Sequence, residues 1–242
     1  KAKKILDKRD CVAIPTETVY GLAGNAYSDH ACKKIFKLKK RPKHNPLIVH
    51  YYDIKRVKDD CSLNNNFFKL YNKFCPGPIT FILTLREKTK ISKFVTNKKK
   101  TLAVRFPNHS ILRVLLKNLD YPLAAPSANL STKLSPVCSN DVKEDFGKKI
   151  KYILEGGRCS IGVESTIIDL SNNAKILRLG GQEIKEIEKV LRKKIQININ
   201  SKKTKVPGQF KLHYSPGIPL RLNVKKIKNN EAYLTLKKRF NK

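Results

Sequence analysis

Residues 14–50 read IPTETVYGLAGNAYSDHACKKIFKLKKRPKHNPLIVH, and the succession of textures in this stretch decides the fold class. The apolar run 11–14 predicts a strand that stops at Pro15. Ser28 is placed to cap a helix in which Ala31, Ile35 and Leu38 recur at helical spacing. That helix must end by the Arg41-Pro42 step, because a residue before proline is pushed out of the helical region. Residues 46–51, PLIVHY, follow at once as a buried strand. A strand, an amphipathic helix and a second buried strand in close succession are the working unit of an α/β domain.

The same alternation continues outward. Ser62 is read as opening a helix with Phe67, Leu70 and Phe74 on one face, closed by Pro76-Gly77-Pro78. Residues 80–85 and 102–106 are rich in strand formers. A helix is expected over 111–119 and strands over 121–125, 150–154, 166–170 and 175–179. A last helix is expected over 182–192, with Ile184, Ile187, Val190 and Leu191 as its apolar face. Some eight strand segments interleaved with helices predict a large mixed sheet with flanking helices. Beyond residue 194 the texture changes. Three prolines and two glycines between 206 and 220 read as a linker. The expected division is a catalytic domain over 1–200, an extended linker over 201–220 and the start of a truncated second domain over 221–242.

The chain has 242 residues, 40% of them hydrophobic, enough for a buried core. Its formal net charge of +33 excludes an acidic solvating protein and points to polyanionic partners: nucleotide, RNA or an anionic membrane. The excess is mostly Lys, scattered along the chain, so compositional bias explains it about as well as RNA binding does. There is no Met, so the chain is read as a piece of a longer product. No uncharged apolar run approaches the roughly 20 residues of a membrane helix. The six cysteines form no CxxC pair and read as reduced thiols of a cytoplasmic protein.

Four polar clusters stand beside strands. They are Pro15-Thr-Glu-Thr-Val-Tyr-Gly21, Lys39-Lys-Arg-Pro-Lys-His-Asn45, Ala125-Pro-Ser-Ala-Asn129 with Ser131, Thr132 and Ser135, and Gly162-Val-Glu-Ser-Thr166. Hydroxyls and small residues at strand ends suit ligand contact in an α/β fold, and cations after a helix suit phosphate. Each cluster also has an ordinary explanation: a turn, compensation of a helix dipole, or a cap. No P-loop, GxSxG or HExxH motif is present, and no metal-type His pair.

Taken in order, the clusters resemble the YrdC/TsaC family of threonylcarbamoyl-adenylate synthases. The family's KxR…SxN signature stands as Lys39-x-Arg41 and Ser127-x-Asn129, followed by GVESTIIDL at 162–170 and ILRLGG at 176–181. The likeness covers about residues 5–195. VPGQFKLHYSP, at 206–216, is similar to the linker of the longer members, with Val206 departing from the usual Ser. The resemblance implies an open, twisted, barrel-like mixed sheet around a cationic concavity. It implies synthesis of threonylcarbamoyl-adenylate and pyrophosphate from L-threonine, bicarbonate and ATP, with Mg²⁺ on the phosphates and no metal held by the protein. A separate tRNA threonylcarbamoyl transferase would use the product.

Residue by residue, the resemblance implies a catalytic signature of Lys39, Arg41, Ser127 and Asn129. Threonine would lie against Thr18, His50, Arg105, Ala125 and Ser165. ATP would lie against Arg41, Asn45, Thr101, Ser127, Ser135, Arg178 and, from the linker, Tyr214, with the linker folding over the cavity mouth. Lys39 and Arg41 are expected to act on phosphate and carbamate charge rather than on folding. No general base is assigned. Two rivals remain. One is an RNA-binding module, or weak tRNA binding beside catalysis. The other is a carbamoyl-transfer domain of the hydrogenase-maturation type, whose Cys-rich zinc segments this chain does not match.

Overall fold

The computed structural model describes residues 1–198, 218–224, 226, 228–232 and 234. Its strands are β1 (Val12–Ile14), β2 (Gly21–Asn25), β3 (Ile48–His50), β4 (Cys61–Ser62), β5 (Ile79–Leu85), β6 (Thr101–Arg105), β7 (Leu123–Ala124), β8 (Thr166–Asp169), β9 (Lys175–Arg178) and β10 (Gln196–Ile197). Its helices are α1 (Ala2–Asp7), α2 (Asp29–Lys39), α3 (Ile54–Asp60), α4 (Asn65–Phe74), α5 (Lys93–Thr96), α6 (Ser110–Lys117), α7 (Ser139–Phe146) and α8 (Ile184–Leu191). The strands form one open mixed sheet in the order β1-β2-β7-β3-β6-β5-β8-β9-β10, with β4 paired to β5. The pairs β3–β6, β5–β8 and β9–β10 are parallel and the others antiparallel.

The two-residue period of a strand assigns the faces of this sheet. Val49, Ile79, Phe81, Leu83, Leu102, Val104 and Ile168 point into the main core, where Ile35 and Phe36 of α2, Phe67 and Leu70 of α4, Val95 of α5 and Ile187 of α8 meet them. A second cluster packs α1 and α6 on the β1–β2–β7 end through Leu6, Ile14, Leu112, Leu115 and Leu123. The alternate residues of the central strands lie on the other face, where Ile48, Ile82, Ala103, Ile167 and Leu177 form a third, smaller cluster. Pairing sets them in rows: His50, Arg105, Thr80, Ile167 and Arg178 form one, and Ile48, Ala103, Ile82 and Asp169 the next. A bulge at Ile167/Ile168 breaks the alternation on β9, so consecutive residues Leu177 and Arg178 both serve this face. This second face positions the site.

Several local expectations needed correction. Ser62 belongs to β4; Asn64 is the true cap of α4, its side chain accepting from Phe67 N at 3.0 Å. Residues 150–154 contribute only an isolated bridge from Ile153 to Ala13. The Ser28 cap of α2 is as expected, accepting from Ala31 N. No described helix is long and apolar enough to cross a membrane.

Candidate active site

The loop after β1 is shaped by Thr16. Its hydroxyl accepts from Thr18 N and Val19 N, both at 3.1 Å, and lies 2.7 Å from Val19 O. The loop is then stitched to the 160–162 segment, Ile161 N donating to Glu17 O at 2.9 Å and Gly162 N to Thr18 O at 3.1 Å. Across the sheet, the loop after β7 is fixed by Ala125 N on Ile48 O, Leu22 N on Pro126 O and Ala128 N on Tyr20 O. A cavity opens between these loops over the first row of the sheet. Thr16, Arg41, His50, Arg105, Ala125, Ser127, Glu164 and Arg178 are among its lining residues. Of the residues expected to hold ligand, Arg41, His50, Arg105, Ala125, Ser127 and Arg178 are thus brought together.

Lys39 sits differently. It is 1% exposed, and its ammonium donates to Ser127 O at 2.6 Å, to Asn129 O, and to Asn129 Oδ1 at 3.2 Å. Asn129 Oδ1 also accepts from Ser127 Oγ at 2.6 Å, and Asn129 Nδ2 donates to Lys133 O. Lys39, Ser127 and Asn129 therefore interlock, and the three donors of the ammonium are matched by three protein acceptors. Expected to face phosphate, Lys39 here meets protein acceptors and clamps the Ser127–Asn129 loop to the end of α2. Burial and the neighbouring Arg41 push its pKa well below the usual lysine value.

Arg41 donates from Nε to Asn45 O at 3.1 Å and from Nη2 to Pro46 O at 3.0 Å, so it also fastens its own loop. Asn45 is buried, and its Oδ1 has no hydrogen-bond partner. Burial and Arg178 depress the Arg41 pKa, with Glu164 opposing them. Arg178 donates to Ser165 O and Ser165 Oγ, both at 3.1 Å, and Ser165 Oγ lies 2.7 Å from Thr80 Oγ1. Ser165 is fully buried and carries Arg178 from behind. Thr18 is also fully buried, its hydroxyl 2.9 Å from Thr16 Oγ1, and Thr16 is the one that lines the cavity. Ser135 donates to Glu164 Oε1 at 2.6 Å and so adjoins the cavity through that carboxylate.

His50 is buried, its Nδ1 makes no hydrogen bond, and burial with the nearby Arg105 pulls its pKa down to about 3. The ring is therefore neutral at physiological pH. Arg105 lies 2.9 Å from Glu17 Oε1, both side chains being nearly inaccessible.

A second cavity of about 310 Å³ follows along the same face. Its floor is Ile82, Ala103 and Leu177, its edge is Thr101, and Lys99 and Lys100 stand at its rim. Thr101 is therefore two rows away from the Arg105 row, not beside it. Tyr214 lies outside the described residues. Among the described residues no group of three His, Cys, Asp or Glu side chains is placed to hold a metal. Burial pushes the thiols of Cys11, Cys32, Cys61 and Cys75 up to about 12, so these four are inert packing groups at neutral pH.

Thr16, Glu17 and Glu164 stood in the polar clusters without an assigned role, and Thr80 in none, yet all four belong to the site or its support. Thr80 was accessible to period-two reasoning, since it shares a strand face with Ile82. Glu17 and Glu164 stood inside motifs whose other members drew the assignments.

Comparison with known proteins agrees with this fold. The family model for Sua5, YciO and YrdC proteins, described as telomere recombination, matches residues 4–180. The threonylcarbamoyl-AMP synthase of Pyrococcus abyssi is 41% identical over 211 residues, 85% of this chain and 62% of the relative. That of Bacillus subtilis is 38% identical over 227 residues, 92% of this chain and 65% of the relative. The crystal structure of P. abyssi Sua5 complexed with L-threonine superposes with a TM-score of 0.84 at 39% identity, covering 88% of this chain and 64% of the other. The chain thus spans less than two thirds of the length of these relatives.

Proposed function

Because the chain belongs to the Sua5/YciO/YrdC family, we propose that it forms threonylcarbamoyl-adenylate: L-threonine, bicarbonate and ATP give the adenylate, pyrophosphate and water. The observation that carries this reading is the pairing of two cavities on one sheet face. One, of about 40 Å³, is lined by Arg41, His50, Arg105 and Arg178; the other has the apolar floor Ile82, Ala103 and Leu177. Names and structures of relatives at about 40% identity support it.

In this reading the threonine carboxylate pairs with Arg105, and neutral His50 offers the substrate a hydrogen bond without adding charge. Ala125 and Thr16 border the amino-acid pocket, with Thr18 and Ser165 behind it. The base lies over the apolar floor against Thr101, and the phosphates run back toward Arg41 and Arg178, near Asn45, Ser127 and Ser135. ATP enters with Mg²⁺ on its phosphate oxygens and water; the lone lining carboxylate, Glu164, is already engaged by Ser135 and offers no protein cage. Threonine's uncharged amine attacks the carbon of bicarbonate or of the CO₂ derived from it. The resulting carbamate oxygen attacks the α-phosphorus, and pyrophosphate leaves. No enzyme nucleophile is needed. Positioning contributes up to about 7–11 kcal/mol, and two buried guanidinium groups neutralise charge as it gathers on phosphate. A transferase that modifies tRNA would consume the product, in the cytoplasm. The division into a linker at 201–220 and a second domain from 221 is proposed on the change in composition.

The test is pyrophosphate release from ATP with and without L-threonine and bicarbonate. Release should require both. Serine, lacking one methyl, should be poorer by about 10–200-fold. Equal release without threonine would refute the reading.

A further inference from the structure

We propose that Glu17 is a positioning residue that sets the guanidinium of Arg105 for the substrate carboxylate. This inference rests on the threonine reading above.

Arg105 ends β6 with its long side chain on the sheet face opposite the main core, in the row of His50 and Thr80. Its Nη2 lies 2.9 Å from Glu17 Oε1 at side-chain exposures of 5% and 8%. The contact is ionic rather than a shaped hydrogen bond: neither oxygen of Glu17, nor Nε or Nη2 of Arg105, has a hydrogen-bond partner, and all four atoms are shut from solvent. Arg105 lines the first cavity and Glu17 is not among its lining residues. Glu17 therefore stands behind the guanidinium, not beside the ligand.

The direction of control follows from what fixes each partner. Glu17 sits in the loop that the Thr16 hydroxyl folds, and its own carbonyl accepts from Ile161 N at 2.9 Å and Ser160 Oγ at 3.4 Å. Its place is set by the backbone, independently of Arg105. The guanidinium has no comparable anchor, since its Nε and Nη2 bond to nothing else. A fixed buried carboxylate against one side of an arginine gives the fork one preferred orientation and offsets the cost of burying its charge in the empty pocket. The arriving carboxylate then meets an ordered donor rather than a group that must be ordered on binding.

The experiment titrates L-threonine, and separately ATP, into wild type, Glu17→Gln, Glu17→Ala, Arg105→Ala and the Glu17→Ala/Arg105→Ala double variant by calorimetry. Glu17→Ala should weaken threonine binding about tenfold to a hundredfold, with ATP affinity unchanged. Glu17→Gln keeps the shape and an acceptor and should lose less; it carries the test if the alanine variant does not fold. In the Arg105→Ala background the Glu17 substitution should have no further effect. In steady state the loss should appear in the threonine KM, with kcat recovered at saturation. Unchanged threonine affinity in both Glu17 variants, an equal loss for ATP, or full additivity with Arg105→Ala would each overturn the inference. If wild type binds ATP but not threonine, the functional reading fails first and this inference falls with it.

Discussion

Replacing Lys39 by Met should damage the fold of the site before its chemistry. Met nearly conserves the volume of a side chain that is 1% exposed, so the change removes the ammonium and little else. Asn129 Oδ1 keeps its bond from Ser127 Oγ. The carbonyls of Ser127 and Asn129 lose the donor that holds them. Stranding a buried acceptor costs about 1–3 kcal/mol, giving about 2–6 kcal/mol for two. Burial already disfavours the charged lysine, and relief of that penalty favours the lower half of that range, about 2–4 kcal/mol. For a chain of this size each kcal/mol lowers Tm by about 2–4 °C, so the expected fall is about 4–16 °C. Calorimetric melting of the variant beside wild type measures it, and hydrogen exchange at residues 125–131 should rise with it. Lys39→Arg should not restore stability, because a planar fork cannot fill a site cut for a point charge with three acceptors. A variant with unchanged melting and exchange that has nonetheless lost ATP turnover would refute the clamp and return Lys39 to the ligand.

Two further perturbations address other parts of the site. A Cβ on Gly180 would fall 2.3 Å from Glu164 O and 2.5 Å from Thr166 N, both backbone, so Gly180→Ala must shift the strand entry that carries Glu164 and Ser165. It should cost about 1–3 kcal/mol and weaken ATP binding measured by calorimetry; wild-type values for both would show that the segment yields freely. His50 has a folded-state pKa near 3 against an ordinary 6.5, so between those values the unfolded chain binds the extra proton. Stability should therefore be fully present above pH 6.5 and decline as pH falls toward 3, and His50→Gln should flatten that part of the Tm–pH curve; identical curves would contradict the buried neutral ring.

What the sequence disclosed follows from how local each signal was. Helix α2 was legible because Ser28 and the Ala31–Ile35 spacing both mark it, and β3 because PLIVHY is a short apolar run between breakers. Strand β2 was missed because Gly-Leu-Ala-Gly-Asn carries no β-branched residue. Its glycine at 24 is there for packing, since a Cβ would stand 3.3 Å from Ala31 Cβ. Helices α3 and α7 were missed because they are short and polar, and tertiary contacts rather than periodicity support them. Within the site, Arg41, His50, Arg105, Ser127 and Arg178 were legible as a set through family resemblance. The inward turn of Lys39 was not, because a basic run at a helix end reads equally well as a solvated terminus.

The sheet itself explains why a cationic pocket and an apolar floor stand side by side. One step of two residues along a strand is about 7 Å, and that step separates the polar row of His50, Arg105 and Thr80 from the apolar row of Ile48, Ala103 and Ile82. Parallel pairing of β3 with β6 and of β5 with β8 keeps both rows in register across the sheet. On β9 strict alternation would turn Leu177 or Arg178 to the far face. The bulge lets Leu177 finish the apolar floor while Arg178 joins the cationic row. A substrate bridging the two rows would therefore place its charged linkage within reach of Arg178 and Arg41, with its apolar end one row further on. Under the proposed function, that spacing suits a nucleotide whose α-phosphorus meets a small amino-acid-derived nucleophile. It comes from strand register alone, so a substitution that closes the bulge should separate the two halves of the site without touching either ligand.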